Sequence, residues 1–173
     1  NYGELVGLIG PNGAGKTTVF NLVSGIYQPD KGDILFNNET IMGLKPFQIV
    51  HKGIARTFQN IRLFNDLTVL DNVKIACHMH ITYGLFSAIL RNKVFAREEK
   101  SISNKTDELL AIFNLQGRAY EIARNLPYGE QRKLEIIRAL ATEPKLLLLD
   151  EPAAGMNPHE TIKLMELIHF IHE

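Results

Sequence analysis

The apolar positions of this chain change their rhythm several times. Leu5, Val6, Leu8 and Ile9 form a short run that stops at Gly10, and Val19, Phe20, Leu22 and Val23 resume with helical spacing. A short apolar run closed by glycine reads as a strand, and the wider spacing after it as a helix. After a turn cluster at 28–33, Ile34, Leu35 and Phe36 predict a strand ending in a hairpin turn at Asn37 and Asn38. Residues 44–53 carry Pro46 near the start and Gly53 at the end, the asymmetry of a short helix. Residues 54–59 predict one more short strand, closing on Gln59.

From 60 to 142 the character is helical, at 69–80, about 96–113 and 129–142, with no convincing strand between. In the middle helix Ile102, Leu109, Ile112 and Phe113 fall on one face, while Lys100, Lys105 and Glu108 mark its solvated side. The pattern turns again at Leu146, Leu147, Leu148 and Leu149, four leucines bounded by Lys145 and Asp150. That run predicts a fully buried parallel strand, although a buried helical segment would carry the same pattern. Residues 159–173 read as a helix. The organisation expected is an α/β core formed by 1–59 and 143–173, interrupted by an α-helical subdomain at 60–142. Both ends read as cut, so the chain is expected to be a fragment of a longer domain.

Composition narrows the partners. The 173 residues hold 19 Lys and Arg against 19 Asp and Glu, a formal net charge of zero, which offers no global attraction to nucleic acid or an anionic membrane. A single cysteine, Cys77, excludes an intrachain disulfide and a cysteine-based metal site. The most apolar stretch, 75–90, is broken by His78, His80, Thr82, Tyr83 and Ser87 and falls short of a membrane span. His51, His78 and His80 show no metal-ligand spacing with carboxylates or thiols.

The chemistry begins where the first strand meets the first helix. Gly10, Pro11, Asn12, Gly13, Ala14, Gly15, Lys16, Thr17 and Thr18 form a glycine-rich turn in the strand–turn–helix context of a phosphate-binding loop. Glycines let the backbone N–H groups wrap a polyphosphate, and the helix N-terminus adds a favourable dipole. Lys16 can reach the β- and γ-phosphates, and the Thr17 hydroxyl can ligate Mg²⁺. The plainer alternative, a tight turn beside a buried lysine, leaves this agreement of pattern and context unexplained.

Asp150 and Glu151 follow the leucine run, at the end of a strand where open parallel sheets place their ligands. Alone, two such acids read as a solvated strand end. Downstream of a phosphate-binding loop they divide the work, Asp150 holding Mg²⁺ directly or through water and Glu151 polarising the water that attacks the γ-phosphate. Gln59 ends a strand too, and its neutral amide can ligate Mg²⁺ or orient water. Gly129 opens a helix whose free N–H groups make an anion-binding end, or a plain cap behind Pro127.

In this order, the phosphate-binding loop, Gln59, the glycine-containing helix start and the leucines with Asp150 and Glu151 resemble the nucleotide-binding subunits of ABC transporters. The passages 56–64, 125–129 and 150–158, together with the insert at 84–91, are similar to the ATP-binding subunits of branched-chain amino-acid importers. The resemblance spans essentially the whole chain. It implies a P-loop NTPase (RecA-like) α/β core with an inserted α-helical subdomain, ATP and Mg²⁺ as cofactors, and ATP hydrolysis coupled to transport. It further implies a head-to-tail dimer in which Leu126, Pro127, Tyr128, Gly129 and Glu130 of one copy complete the ATP site on the other copy's loop. The second ATPase is expected to be a different chain. Residues 154–157 would cross that interface. Membrane permease subunits would dock near Gln59 and the helical insert at the cytoplasmic face of the membrane, with a substrate-binding protein as indirect partner and no nucleic acid. The ATPase of a lipid or lipopolysaccharide exporter, or of another amino-acid importer, is the alternative.

Pro127 departs from the usual signature because it lacks a hydroxyl for the γ-phosphate. Glu130 departs because it brings a carboxylate toward phosphates, which repels unless it pairs with Arg132 or another neighbour. The family's adenine-stacking aromatic and switch histidine are expected outside this chain.

Overall fold

The computed structural model describes residues 3–80 and 93–172. These fall into two compact units, one formed by 3–59 with 145–172 and the other by the described part of 60–144.

In the first unit, α1 (Lys16–Val23) follows the glycine loop directly. A two-residue hairpin pairs β1 (Leu35–Phe36) with β2 (Glu39–Thr40). Asn37 and Asn38 turn it with φ of 52° and 63°, the left-handed pair a tight hairpin demands. Helix α2 (Pro46–Lys52) starts on proline, whose missing N–H costs nothing at the first turn, and stops on Gly53 at φ 99°. β3 (Ile54–Arg56) then runs parallel to β4 (Leu146–Leu148), with Ile54, Ala55 and Arg56 opposite Leu146, Leu147 and Leu148. Ile41, Ile49 and Ile54 are the buried heart of this unit, with Val23, Ile34, Phe36, Leu44 and Leu148 packed against them. The last helix of this unit spans Pro158–His172 and carries His159, His169 and His172.

Two strand expectations are corrected. Residues 4–9 enter no sheet, and Val6 and Ile9 stand 74% and 94% exposed. Strand character needs a ladder partner as well as apolar residues, and among the described residues β3 and β4 pair only with each other. The leucine run is a parallel strand but not a fully buried one. Leu146 is exposed and Leu147 and Leu148 half-buried, because one strand is its whole ladder.

In the second unit, α3 (Val69–Cys77) is capped by Thr68, whose hydroxyl accepts the Asp71 N–H, and passes into a single 3₁₀ turn at His78–His80. Helix α4 (Lys93–Ile112) and α5 (Tyr128–Ala141) both pack on α3. Val69, Val73, Leu110, Phe113, Leu115, Leu134, Ile136 and Ile137 are almost completely buried. On α4 the buried stripe is Ile102, Thr106 and Leu110, continuing to Phe113 beyond the helix. Leu109 and Ile112 sit at its margin. The stripe is set by what α3 and α5 cover, which the spacing on α4 alone does not reveal, and buried Thr106 lies within reach of the Cys77 sulfur at 3.9 Å. Lys105, expected on the solvated side, instead reaches the Ala141 carbonyl at 3.2 Å and pairs with Glu143. The insert at 84–91 lies outside the described residues. Among these residues no helix is long and apolar enough to cross a membrane. The last helix of the first unit is α6.

Candidate functional site

The glycine loop is built for close approach by an anion. Gly13 and Gly15 hold φ of 84° and 87°, a region costing an L-residue roughly 1–2 kcal/mol, and Gly15 is the N-cap of α1. The first N–H groups of α1 lack helical acceptors. Lys16 folds back so that its Nζ donates to the carbonyls of Gly10 at 2.6 Å and Pro11 at 2.9 Å. This pins the ammonium on the loop itself.

A cavity of about 500 Å³ opens there, lined by Asn12, Gly13, Gly15, Lys16, Thr17, Thr18, Gln59 and Glu151. Gln59 and Glu151 are 92 residues apart and meet because β3 and β4 run parallel and end at the same edge. Gln59 Nε2 donates to Glu151 Oε2 at 3.2 Å. Glu151 holds φ of 47°, a left-handed conformation uncommon for a residue with a side chain, and strain of this kind collects at functional sites. The cavity thus combines a cation, two hydroxyls, two amides and a carboxylate.

Asp150 is placed differently from Glu151. Its Oδ2 accepts from Arg56 Nη2 at 2.9 Å, and both side chains are under a tenth exposed. Arg56 also donates to Asn21 Oδ1 at 2.7 Å and Ser24 Oγ at 3.1 Å, and its guanidinium lies against the Phe20 and Phe58 rings. The Asp150 N–H donates to Thr57 Oγ1 at 3.3 Å. A carboxylate so held does not line the cavity. Any metal ligation through Oδ2 competes with the arginine. Arg56 therefore ties the loop's helix to the β4 edge, a role that reading along the chain missed. The available signal was a charge at the third position of the otherwise apolar strand 54–56.

The Thr17 hydroxyl and the Gln59 amide, both lining this cavity, suit Mg²⁺, which keeps waters and takes phosphate oxygens in place of a full protein cage. Among the described residues no cluster of His, Cys, Asp or Glu could hold a metal by itself.

Residues 126–130 belong to the second unit. Leu126 is buried, Pro127 is the N-cap of α5, and Tyr128 is exposed. Gln131 stiffens this turn by donating Nε2 to the Leu126 carbonyl at 2.8 Å. The charge of Glu130 is answered by Arg118, whose Nε stands 2.8 Å from Glu130 Oε2. Arg132 instead holds Glu135 at 2.7 Å deep in the unit. Arg118 is held from its other end by Glu121 at 2.9 Å, and Glu121 followed by Glu130 raises its affinity for the proton.

A glycine loop opening a helix, with an amide and an acid at the ends of two parallel strands beside it, is the architecture of a P-loop NTPase core. Over residues 1–154 the chain matches the family model described as ABC transporter, and it belongs to that family. It is 47% identical over 165 residues to the high-affinity branched-chain amino acid transport ATP-binding protein LivG of Escherichia coli K12, covering 95% of this chain and 65% of LivG. It is 35% identical over 173 residues to the lipopolysaccharide export system ATP-binding protein LptB of the same organism, covering all of this chain and 66% of LptB. A solved structure of MJ1267, an ATP-binding cassette of an ABC transporter, shares the fold with a TM-score of 0.77 at 31% identity, over 95% of this chain and 64% of that one. The chain thus spans just under two thirds of the length of these relatives.

Proposed function

We propose that this chain is part of the ATP-hydrolysing subunit of an ABC transporter that drives import of branched-chain amino acids through a membrane permease. The observation that carries the reading is the convergence of Lys16, Thr17, Gln59 and Glu151 on one cavity over the glycine loop. Backbone N–H groups of the loop and the Lys16 ammonium bind the triphosphate. Thr17 and Gln59 offer the oxygens that would hold Mg²⁺, which when bound neutralises charge on the phosphates. Gln59 orients the attacking water and Glu151 accepts its proton.

Residues 126–130 then serve a related second ATPase arranged head to tail, completing that partner's site with the N-terminus of α5. Residues 154–157 cross the interface, and the pairing is heteromeric. The subunit sits at the cytoplasmic face of the membrane on its permeases, with a substrate-binding protein delivering the cargo. The similarity to LivG supports the amino-acid cargo. The similarity to LptB supports a second reading, in which the same ATPase powers lipopolysaccharide export.

Uptake of labelled leucine, isoleucine and valine by cells whose complete gene carries Glu151→Gln separates them. Loss of uptake with the protein still membrane-associated is expected. Unchanged uptake, with redundancy excluded by deleting the gene, removes the amino-acid cargo.

A further inference from the structure

Glu130 is the third residue of α5, in the first turn behind Pro127. An acid there suits its own helix, because it faces the positive end of the dipole. It does not suit a second anion. A carboxylate a few ångströms from a triphosphate repels it, and the proposed function asks the N-terminus of α5 to accept a triphosphate. The conflict is internal to this chain, and Arg118 addresses it.

Arg118 lies on a 3₁₀ turn, Gln116–Arg118, twelve residues before Glu130. Its Nε stands 2.8 Å from Glu130 Oε2 while its Nη1 donates to Glu121 Oε2 at 2.9 Å. The guanidinium therefore lies between two carboxylates, hydrogen-bonded to Glu121 and in ion-pair contact with Glu130. The turn that carries it is anchored in turn, since the Leu70 N–H donates to the Ala119 carbonyl and the Val69 N–H to the Glu121 carbonyl, each at 2.9 Å. Two other arginines near in sequence are committed elsewhere, Arg132 to Glu135 inside the unit and Arg124 to Asp66. The Arg118 side chain is 42% exposed and that of Glu130 28%, and a pair so open to water contributes little to folding. Its geometry is better accounted for by what it does to charge at the helix start.

We propose that Arg118 is a positioning residue of the signature half-site, holding Glu130 neutralised and turned aside so that the α5 N-terminus can receive the triphosphate of a partner's ATP. This rests on the head-to-tail reading above. Arg118 touches no substrate in this role; it acts through Glu130. Removing it leaves a full negative charge at the mouth of the site, and in the intermediate dielectric of an interface this weakens apparent ATP binding by about tenfold.

The test uses the complete protein in its transporter and measures ATP turnover against ATP concentration for Arg118→Gln, Glu130→Gln, the double variant and Gly129→Asp. Arg118→Gln is expected to raise the ATP concentration for half-maximal turnover by about tenfold, with the maximal rate falling less, at an unchanged thermal midpoint. The double variant should return to within about twofold of Glu130→Gln, because no charge then remains to be neutralised. If Arg118→Gln leaves the ATP dependence unchanged, or the double variant stays as impaired as Arg118→Gln, Arg118 does not act through Glu130 and the inference fails. Gly129→Asp separates this from failure of the underlying reading. If it turns over ATP normally, the α5 N-terminus does not serve the nucleotide, and both fall together.

Discussion

The two units of this chain hold themselves together by different means. In the helical unit, α5 buries eight of its fourteen residues, Gly129, Arg132, Leu134, Glu135, Ile136, Ile137, Ala139 and Ala141. In the loop-bearing unit α1 buries none, and the run at 5–9 leaves Leu5, Val6, Leu8 and Ile9 exposed. Order around the glycine loop comes instead from polar contacts over long sequence separations, with Arg56 binding Asn21, Ser24 and Asp150 and Gln59 binding Glu151. The contacts that order the glycine loop in this unit are therefore polar ones, left-handed glycines, a pinned lysine and a framework of charges at the ends of the strands beside it, while its apolar core lies at Ile41, Ile49 and Ile54.

The sharpest break of this contrast is Arg56→Ala. It leaves the Asp150 carboxylate buried without its cation and is expected to lower stability by about 3–5 kcal/mol, read from the denaturant midpoint. Asn21 and Ser24 lose a donor as well. If stability is unchanged, the polar framework is not what orders this unit. Next comes Lys16→Ala, expected to lower ATP turnover by about 10²–10³-fold while leaving the unfolding transition in place. A parallel loss of stability would mean that the Lys16 bonds to Gly10 and Pro11 are structural.

A change in the helical unit should show the opposite profile. Ile137→Val removes one methyl from a fully buried site on α5 and is expected to cost about 0.5–1.5 kcal/mol with ATP half-saturation unaltered. Cys77 gives the smallest effect. Burial pushes its thiol above the ordinary range, with the Thr106 hydrogen bond and the Lys105 charge opposing it. Between the ordinary thiol pKa and the raised folded one, the unfolded chain has released the proton and the folded chain has kept it, so stability falls as pH rises through that window. Its reaction with a thiol reagent at neutral pH should accordingly follow unfolding. Fast labelling of the native protein would contradict the burial.

Local signals explain which parts could be read in advance. The left-handed turn at Asn37 and Asn38, the proline start and glycine stop of α2, and the glycines around Lys16 are all decided within a few residues of chain. So was the end of β4, because two acids after four leucines mark where a strand leaves the core. What stayed hidden depends on partners far away. Whether 4–9 pairs is settled by neighbouring strands, not by its own apolar residues. The buried stripe of α4 is settled by α3 and α5. Arg56 and Arg118 show the same limit, since each pairs with a carboxylate outside its own stretch of chain, Asp150 for one and Glu130 for the other. Glu151 was legible as an acid in the right place, but its strained backbone and its bond to Gln59 were not.

The proposal that Glu151, held beside Gln59 over the Lys16 loop, activates water is challenged hardest by nucleotide binding and turnover measured together in the complete protein with Glu151→Gln. ATP affinity is expected to stay within about threefold of the unaltered protein, and turnover to fall by about 10²–10⁴-fold, the range for loss of a general base. Turnover at the unaltered rate would show that Glu151 takes no part in the chemistry, and the assignment of this cavity as the catalytic half of the site would fall with it.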